Sequence, residues 1–365
     1  MENMAVLINF GSDFPYDGID EIGKNLIASG SLTPGFIPPD AGLLNLESVR
    51  YQQITESLNF IILPDLNLIS ELCSIADIDK IDRTENPLKI AINMMAFAQA
   101  MDIPIEPSIA FHEFAHRHGN EKAHEKLSWF RAADKGSDAF KWIDLALERS
   151  ETIAMSAPEA RSNEDLALPL KRWNRNYIVA LKIAELELQK GPHLDRYQKL
   201  LDWMIKDFIL AGPAAIYGAL YLAPNAKRKG LFKQLRSDDR NKAIQGIKNA
   251  AWDMTHLSDF VKRIEESNGS NNRYIFATAD KLLAKIAPVL LLQPTAHDGN
   301  PSLYDAFQCW WPDNDDAKKI VDKILDFIKS VDATDTRKVN SGKQNTIEQM
   351  IADGEKHIRN WKRDD

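Results

Sequence analysis

A histidine-rich stretch contains the residues whose chemistry is easiest to recognise. Residues 105–124 read IEPSIAFHEFAHRHGNEKAH, in which His112, Glu113 and His116 form an H-E-x-x-H sequence. On a helix this spacing puts two imidazoles one turn apart, and in zinc peptidases they bind Zn²⁺ while the glutamate acts as general base. The first hypothesis is therefore a zinc metallopeptidase that uses His112-Glu113-x-x-His116.

The third zinc ligand is the weak point of that hypothesis. Gly119 falls where the extended H-E-x-x-H-x-x-G-x-x-H pattern has its glycine, but Lys122 occupies the position of the last histidine. A protonated lysine cannot bind Zn²⁺. His118 and His124 are out of register, and Glu125 or a later acid would have to replace the missing ligand. The peptidase is kept as an alternative.

Carboxylates at the ends of apolar runs favour a different chemistry. LNFIILPD (58–65) and RYIFATAD (273–280) have the length and composition of buried strands, and end on Asp65 and Asp280 just before helical patterns. In a parallel sheet both aspartates would lie at the carboxyl edge, where α/β proteins bind ligands. Either aspartate could instead serve as a helix N-cap.

Acids that share one edge of a sheet need a cation between them. Neighbouring carboxylates repel each other, and Mg²⁺ or Mn²⁺ prefers a site made of oxygen ligands. The helix after IEPSIAF offers Glu113 as a third acid, and the amphipathic helix before the second strand offers Asp253 as a fourth.

The order of these residues resembles that of PIN-like nuclease domains. Asp65-x-Asn67 follows the first strand, PSIAFHE opens a helix, an acid lies on the helix before the last strand, and Thr278-x-Asp280-Lys281 closes that strand. The resemblance implies an α/β fold with a Rossmann-like parallel sheet. It also implies a large all-helical insertion, because small PIN domains are under half this length.

The resemblance also implies a site and an activity. Its catalytic and metal-binding residues would be Asp65, Glu113, Asp253 and Asp280, with Asp259 as the alternative to Asp253, and its supporting polar residues would be Asn67 and Thr278. Such a site binds Mg²⁺ or Mn²⁺ and hydrolyses phosphodiesters, in RNA more often than in DNA. The family includes toxins and phage-defence effectors, which implies an endoribonuclease with a protein partner such as an antitoxin.

Hydrophobic periodicity assigns most of the remaining chain to helices. The predicted organisation has four parts: an N-terminal segment that packs on the core (1–56), a nuclease core (57–119 and 242–332), a helical insertion (120–241) and a C-terminal tail (333–365). The uncharged stretch from Phe208 to Pro224 carries glycine and proline and is interpreted as a buried helix or helix pair, not a membrane span.

Composition narrows the partners of the chain. The net charge of −8 gives no basic footprint, so a polyanion would need local basic groups or metal ions. The densest basic run, residues 225–236, is a candidate phosphate contact, and Trp310 and Trp311 are candidates for base stacking or for the core. The two cysteines and the absence of a signal-peptide pattern predict a cytoplasmic protein.

A third hypothesis belongs to another functional class. The chain would be a catalytically inactive helical interaction protein that retains a nuclease-like core. Binding of Mg²⁺ or Mn²⁺ separates this hypothesis from the nuclease, and stoichiometric zinc separates the peptidase from both.

Overall fold

The two apolar runs predicted as strands pair side by side in the computed structural model. Strand β2 (Asn59–Pro64) and strand β3 (Asn272–Ala277) are parallel, with Ile62 opposite Ile275. Both are most buried towards their carboxyl ends. The prediction of two parallel strands at these positions is confirmed.

The sheet as a whole differs from the prediction. A short strand β1 (Leu32–Pro34) pairs antiparallel with β3, and the order of the sheet is β1-β3-β2. The predicted Rossmann-like, PIN-like parallel sheet is therefore wrong: the sheet is small and mixed, and the described part of the chain is rich in helices.

A proline limits the growth of the sheet beside β2. The Ile62 N–H donates to the Pro104 carbonyl at 2.9 Å, and the Glu106 N–H donates to the Ile62 carbonyl at 2.8 Å. Pro104 has no N–H to donate to Phe60, the next acceptor in this parallel register, so the ladder does not extend in that direction. The pairing remains a single parallel bridge between Ile62 and Ile105.

The structure describes residues 8, 10–75, 86–154, 157–158, 164–209, 211–226, 231–294, 302–333 and 344–362. The chain divides into two units: the first comprises Met1–Leu168 and Lys262–Ala284, and the second comprises Pro169–Val261 and Lys285–Asp365. The predicted boundaries of a nuclease core and its insertion stay predictions. Parts of the predicted N-terminal segment (1–7 and 9) and tail (334–343 and 363–365) lie outside the described residues.

The first unit contains the sheet and seven complete helices among its described residues. These helices are α1 (Tyr16–Ser29), α2 (Leu46–Thr55), α3 (Leu66–Ser74), α4 (Asn86–Ala100), α5 (Ser108–His118), α6 (Asn120–Ala133) and α7 (Ala139–Ala146). Apolar side chains from α1, α3, α4 and β3 form its core, for example Ile22, Leu68, Met95 and Ile275. α4 is buried along most of its length, which explains its largely apolar sequence.

The regular secondary structure among the second unit's described residues is helical. Its helices are α8 (Lys171–Leu188), α9 (His193–Lys206), α10 (Gly212–Leu222), α11 (Arg240–Glu266), α12 (Leu283–Val289), α13 (Leu303–Gln308), α14 (Asn314–Ala333) and α15 (Gln344–Asn360), and the unit boundaries fall within α11 and α12. The core includes the buried rings of Tyr197 and Trp311, whose centroids are 6.3 Å apart.

The uncharged stretch from Phe208 to Pro224 contains α10. Every residue of α10 after Pro213 is buried, which agrees with its interpretation as a core helix. Within the described part of the chain, no helix is both long enough and apolar enough to cross a membrane.

One glycine of α11 lies where a larger residue does not fit. A Cβ atom added to Gly246 would stand 1.8 Å from the carbonyl oxygen of Lys233. Both residues belong to the second unit, so Gly246 allows α11 to pack directly against the backbone around Lys233.

We expect Gly246→Ala to destabilise the protein by about 3 kcal/mol, because the backbone must move to admit the methyl group. The loss should appear in thermal unfolding followed by circular dichroism, although alanine is the better helix former. Gly212→Ala is the matched control, since a Cβ at Gly212 meets nothing within 4 Å. Equal melting temperatures for the two variants would contradict this account of the packing.

Candidate metal centre

Asp65 lies where β2 ends and α3 begins. Its N–H donates to the Ala277 carbonyl at 2.8 Å, which fixes it beside the end of β3. One carboxylate oxygen, Oδ1, accepts the Leu66 N–H at 2.6 Å and so caps α3. The backbone of Asp65 is thus anchored to β3, and its side chain is held by the first turn of α3.

The second carboxylate oxygen of Asp65 is held by two side chains. Oδ2 accepts a hydrogen bond from Nδ2 of Asn67 at 2.8 Å and another from the Thr278 hydroxyl at 2.8 Å. The Ala279 N–H in turn donates to Oδ1 of Asn67 at 3.2 Å, so the two strand ends are linked. Asn67 and Thr278 both contact the Asp65 carboxylate; their place in a cofactor site stays a prediction.

Glu113 reaches the same region of the first unit from α5. The bridge between Ile62 and residues 104–106 anchors the chain just before α5, and Oε1 of Glu106 accepts the Ser108 N–H at 3.1 Å in its first turn. Glu113 is only 3% exposed. A carboxylate oxygen of Glu113 and one of Asp65 lie within 4.8 Å of each other. We call Asp65 and Glu113 the acid pair.

A basic side chain accompanies the acid pair. The guanidinium of Arg117, one helical turn after Glu113, forms an ion pair with its carboxylate. The Arg117 side chain is 34% exposed and that of Glu113 is 4% exposed, so the pair connects the interior of the unit with its surface.

The acid pair offers oxygen ligands. Two buried carboxylates close together are a suitable site for a hard divalent cation. The thiol of Cys73, on α3, is not a competing nucleophile, because burial raises its pKa to about 12 and keeps it protonated.

Asp280 has a structural task at the end of β3. Its Oδ1 accepts the N–H groups of Leu282 and Leu283 at 2.8 and 3.0 Å, as a capping residue does at the start of a helix. Its own N–H donates to the Thr278 hydroxyl at 3.0 Å, which joins it to the residues around Asp65. Asp280 is not in the close group of metal-ligand atoms that contains the acid pair; its role as a ligand stays a prediction.

The other predicted acids lie on α11 in the second unit. The Tyr217 hydroxyl donates to Oδ2 of Asp253 at 3.4 Å, and Arg172 donates to Oδ1 of Asp259 at 2.5 Å. Asp259 is thus in an ion pair within that unit. That either residue serves as the third acid stays a prediction.

The histidines around Glu113 bind a segment of backbone. The carbonyls of Leu166, Leu168 and Glu164 accept hydrogen bonds from His112 Nδ1 at 2.8 Å, His116 Nε2 at 3.4 Å and His124 Nε2 at 2.6 Å. Because a carbonyl only accepts, each of these ring nitrogens carries the hydrogen. Within the described residues His112 and His116 belong to no close group of three metal ligands. The zinc peptidase stays an untested alternative.

Two of the candidate nucleic-acid contacts, Trp311 and Arg236, have partners within the second unit. Trp311 is buried and its ring N–H donates to the Ala219 carbonyl at 3.1 Å. Lys227, Arg228 and Lys229 of the predicted basic run lie outside the described residues. At the end of that run, Arg236 pairs with the buried Glu187.

Arg117 is the functional candidate that the sequence analysis missed. The signal was present, because a glutamate and an arginine four residues apart on a helix are neighbours. The H-E-x-x-H pattern drew attention to the histidines instead.

No family model matches the chain, and neither a curated protein nor a solved structure matches it.

We expect Thr278→Val to destabilise the protein by about 1–2 kcal/mol, because Oδ2 of the buried Asp65 loses a hydrogen-bond donor without a change in volume. Chemical denaturation would measure the loss. Thr33→Val is the matched control. Thr33 is a buried threonine of β1 in the same unit, and its hydroxyl is not bonded to Asp65. Equal losses in both variants would show that the contact with Asp65 has no special weight.

Proposed function

We propose that the first unit binds a divalent cation through Asp65 and Glu113, and that the protein is a metal-dependent phosphodiesterase acting on nucleic acid. The observation that carries the proposal is the acid pair: two buried carboxylates, from β2 and α5, with oxygens within 4.8 Å of each other. Like charges at this distance and burial favour a cation between them.

The ligand atoms favour Mg²⁺ or Mn²⁺. Both side chains of the acid pair offer carboxylate oxygens, which hard divalent cations prefer over thiols and imidazoles. Asn67 and Thr278 hold the orientation of the Asp65 carboxylate, as partners of metal ligands do in established sites.

The cation would supply the reactive chemistry when bound, by polarising a phosphoryl oxygen and lowering the pKa of a coordinated water. The residues of the chain have other tasks. Asp65 and Glu113 hold the cation, and the cap and hydrogen bonds of Asp65 fix the carboxylate before substrate arrives. Asp280 and Asp253 are the further ligands that this proposal puts to the test.

The choice of substrate rests on the order of residues in the sequence. The D-x-N, PSIAFHE and T-x-D-K segments resemble those of PIN-like nucleases, although the sheet does not follow the predicted topology. On that ground we propose an endoribonuclease that prefers RNA to DNA, and a growth-arresting role in which a protein partner restrains it.

The metal site is tested first, by calorimetric titration of Mn²⁺ and Mg²⁺ into the purified protein. Asp65→Asn and Glu113→Gln preserve shape and remove one charge each, so each should weaken Mn²⁺ binding by about 100-fold or more. Asp280→Asn and Asp253→Asn measure whether those acids add ligands.

The activity is tested on single-stranded RNA, single-stranded DNA and structured DNA with and without Mn²⁺. Wild type should cleave RNA only with the cation, and Asp65→Asn and Glu113→Gln should be inactive with unchanged circular dichroism. Full activity in both variants would overturn the proposal. Stoichiometric zinc that is lost in His112→Ala would favour a peptidase, and a folded protein that binds no cation and cleaves no substrate would favour an interaction protein.

A further inference from the structure

Arg117 holds a position that conflicts with the binding of a cation by Glu113. Its guanidinium pairs with the carboxylate that faces Asp65. A divalent cation bound to the same carboxylate repels the guanidinium and competes for its oxygens. The ion pair and the metal complex are therefore alternative partners of one buried glutamate.

We propose that Arg117 exchanges partners during the reaction cycle: it neutralises Glu113 before the cation binds and contacts a phosphate of the nucleic acid afterwards. This inference rests on the proposed function of the acid pair. It names the group that recognises the substrate at that site.

The position of Arg117 permits both roles. The side chain is partly exposed while Glu113 is buried, so the guanidinium can leave the carboxylate by rotating towards solvent without leaving the vicinity of the site. It lies in the last turn of α5, between the exposed His116 and His118. A basic helix end thus adjoins the acid pair.

The charge of the substrate explains why an arginine is suited to this exchange. A protein of net charge −8 needs local positive groups to hold a polyanion. The planar guanidinium can donate two parallel hydrogen bonds to carboxylate or phosphate alike, so the same group serves both partners. Before substrate arrives, the ion pair also limits repulsion within the acid pair.

Arg117→Met separates the two roles. Without competition from the guanidinium, Mn²⁺ should bind about tenfold more tightly than to wild type in calorimetric titration. Without metal, the variant should melt at a lower temperature than wild type, because Glu113 loses a charged partner. Saturating Mn²⁺ should abolish this difference in melting temperature. A phosphorothioate RNA oligonucleotide should bind about tenfold more weakly to the Mn²⁺-loaded variant. The KM for RNA should rise more than kcat falls.

Two further variants serve as controls. Arg117→Lys keeps the charge but loses the planar donor geometry, so it should restore Mn²⁺ competition and only part of the oligonucleotide binding. Arg131→Met removes an exposed arginine from the last turn of the neighbouring α6 and should change neither measurement.

The outcomes distinguish this inference from the proposed function. If wild type binds Mn²⁺ and Arg117→Met neither tightens that binding nor weakens oligonucleotide binding, the exchange is refuted and the metal site stands. If Mn²⁺ binds more tightly but oligonucleotide binding is unchanged, Arg117 is only a charge partner and the exchange is likewise refuted. If wild type binds no Mn²⁺, both proposals fall.

Discussion

The burial of two carboxylates within 4.8 Å of each other is the constraint on which the structure of the first unit depends most. Ions taken out of water lose solvation that only well-placed partners replace, and two ions of the same sign also repel. The surrounding residues offset both the lost solvation and the repulsion. A backbone N–H, an amide and a hydroxyl surround Asp65, and a guanidinium faces Glu113.

Strand β2 accounts for the meeting of these acids. Its end places Asp65 beside β3, and its single bridge to residues 104–106 fixes the chain from which α5 starts. Segments distant in sequence therefore converge through ordinary backbone hydrogen bonds.

Individual strands could be predicted from the sequence more accurately than the topology of the sheet. The apolar runs at 58–65 and 273–280 predicted β2 and β3 because buried parallel strands have such compositions. The short β1, with Thr33 between a leucine and a proline, has no such pattern, and its antiparallel direction depends on the turn after α1. The arrest of the sheet by Pro104 could have been noticed, but only once Ile62 was known to lie beside it.

The candidate site was predictable to a similar extent. Asp65 could be predicted because it directly follows an apolar run with the composition of a buried strand. Glu113 could be predicted because it lies on the helix that follows Pro107. Asp253 and Asp259 were predicted as acids on the helix before the last strand. The sequence alone does not show that they pair with Tyr217 and Arg172. Capping was a weighed alternative for Asp280, and its hydrogen bonds with Leu282 and Leu283 have that form.

The H-E-x-x-H pattern shows how one helical spacing can serve different ends. Four-residue steps place His112 and His116 on a common face, where both donate to the backbone of residues 166–168. The same step places Arg117 over Glu113. A zinc peptidase needs the first pair of residues to converge on a metal, whereas here they converge on carbonyl oxygens. The glutamate between them faces Asp65 instead, and a carboxylate oxygen of each residue lies within 4.8 Å of the other.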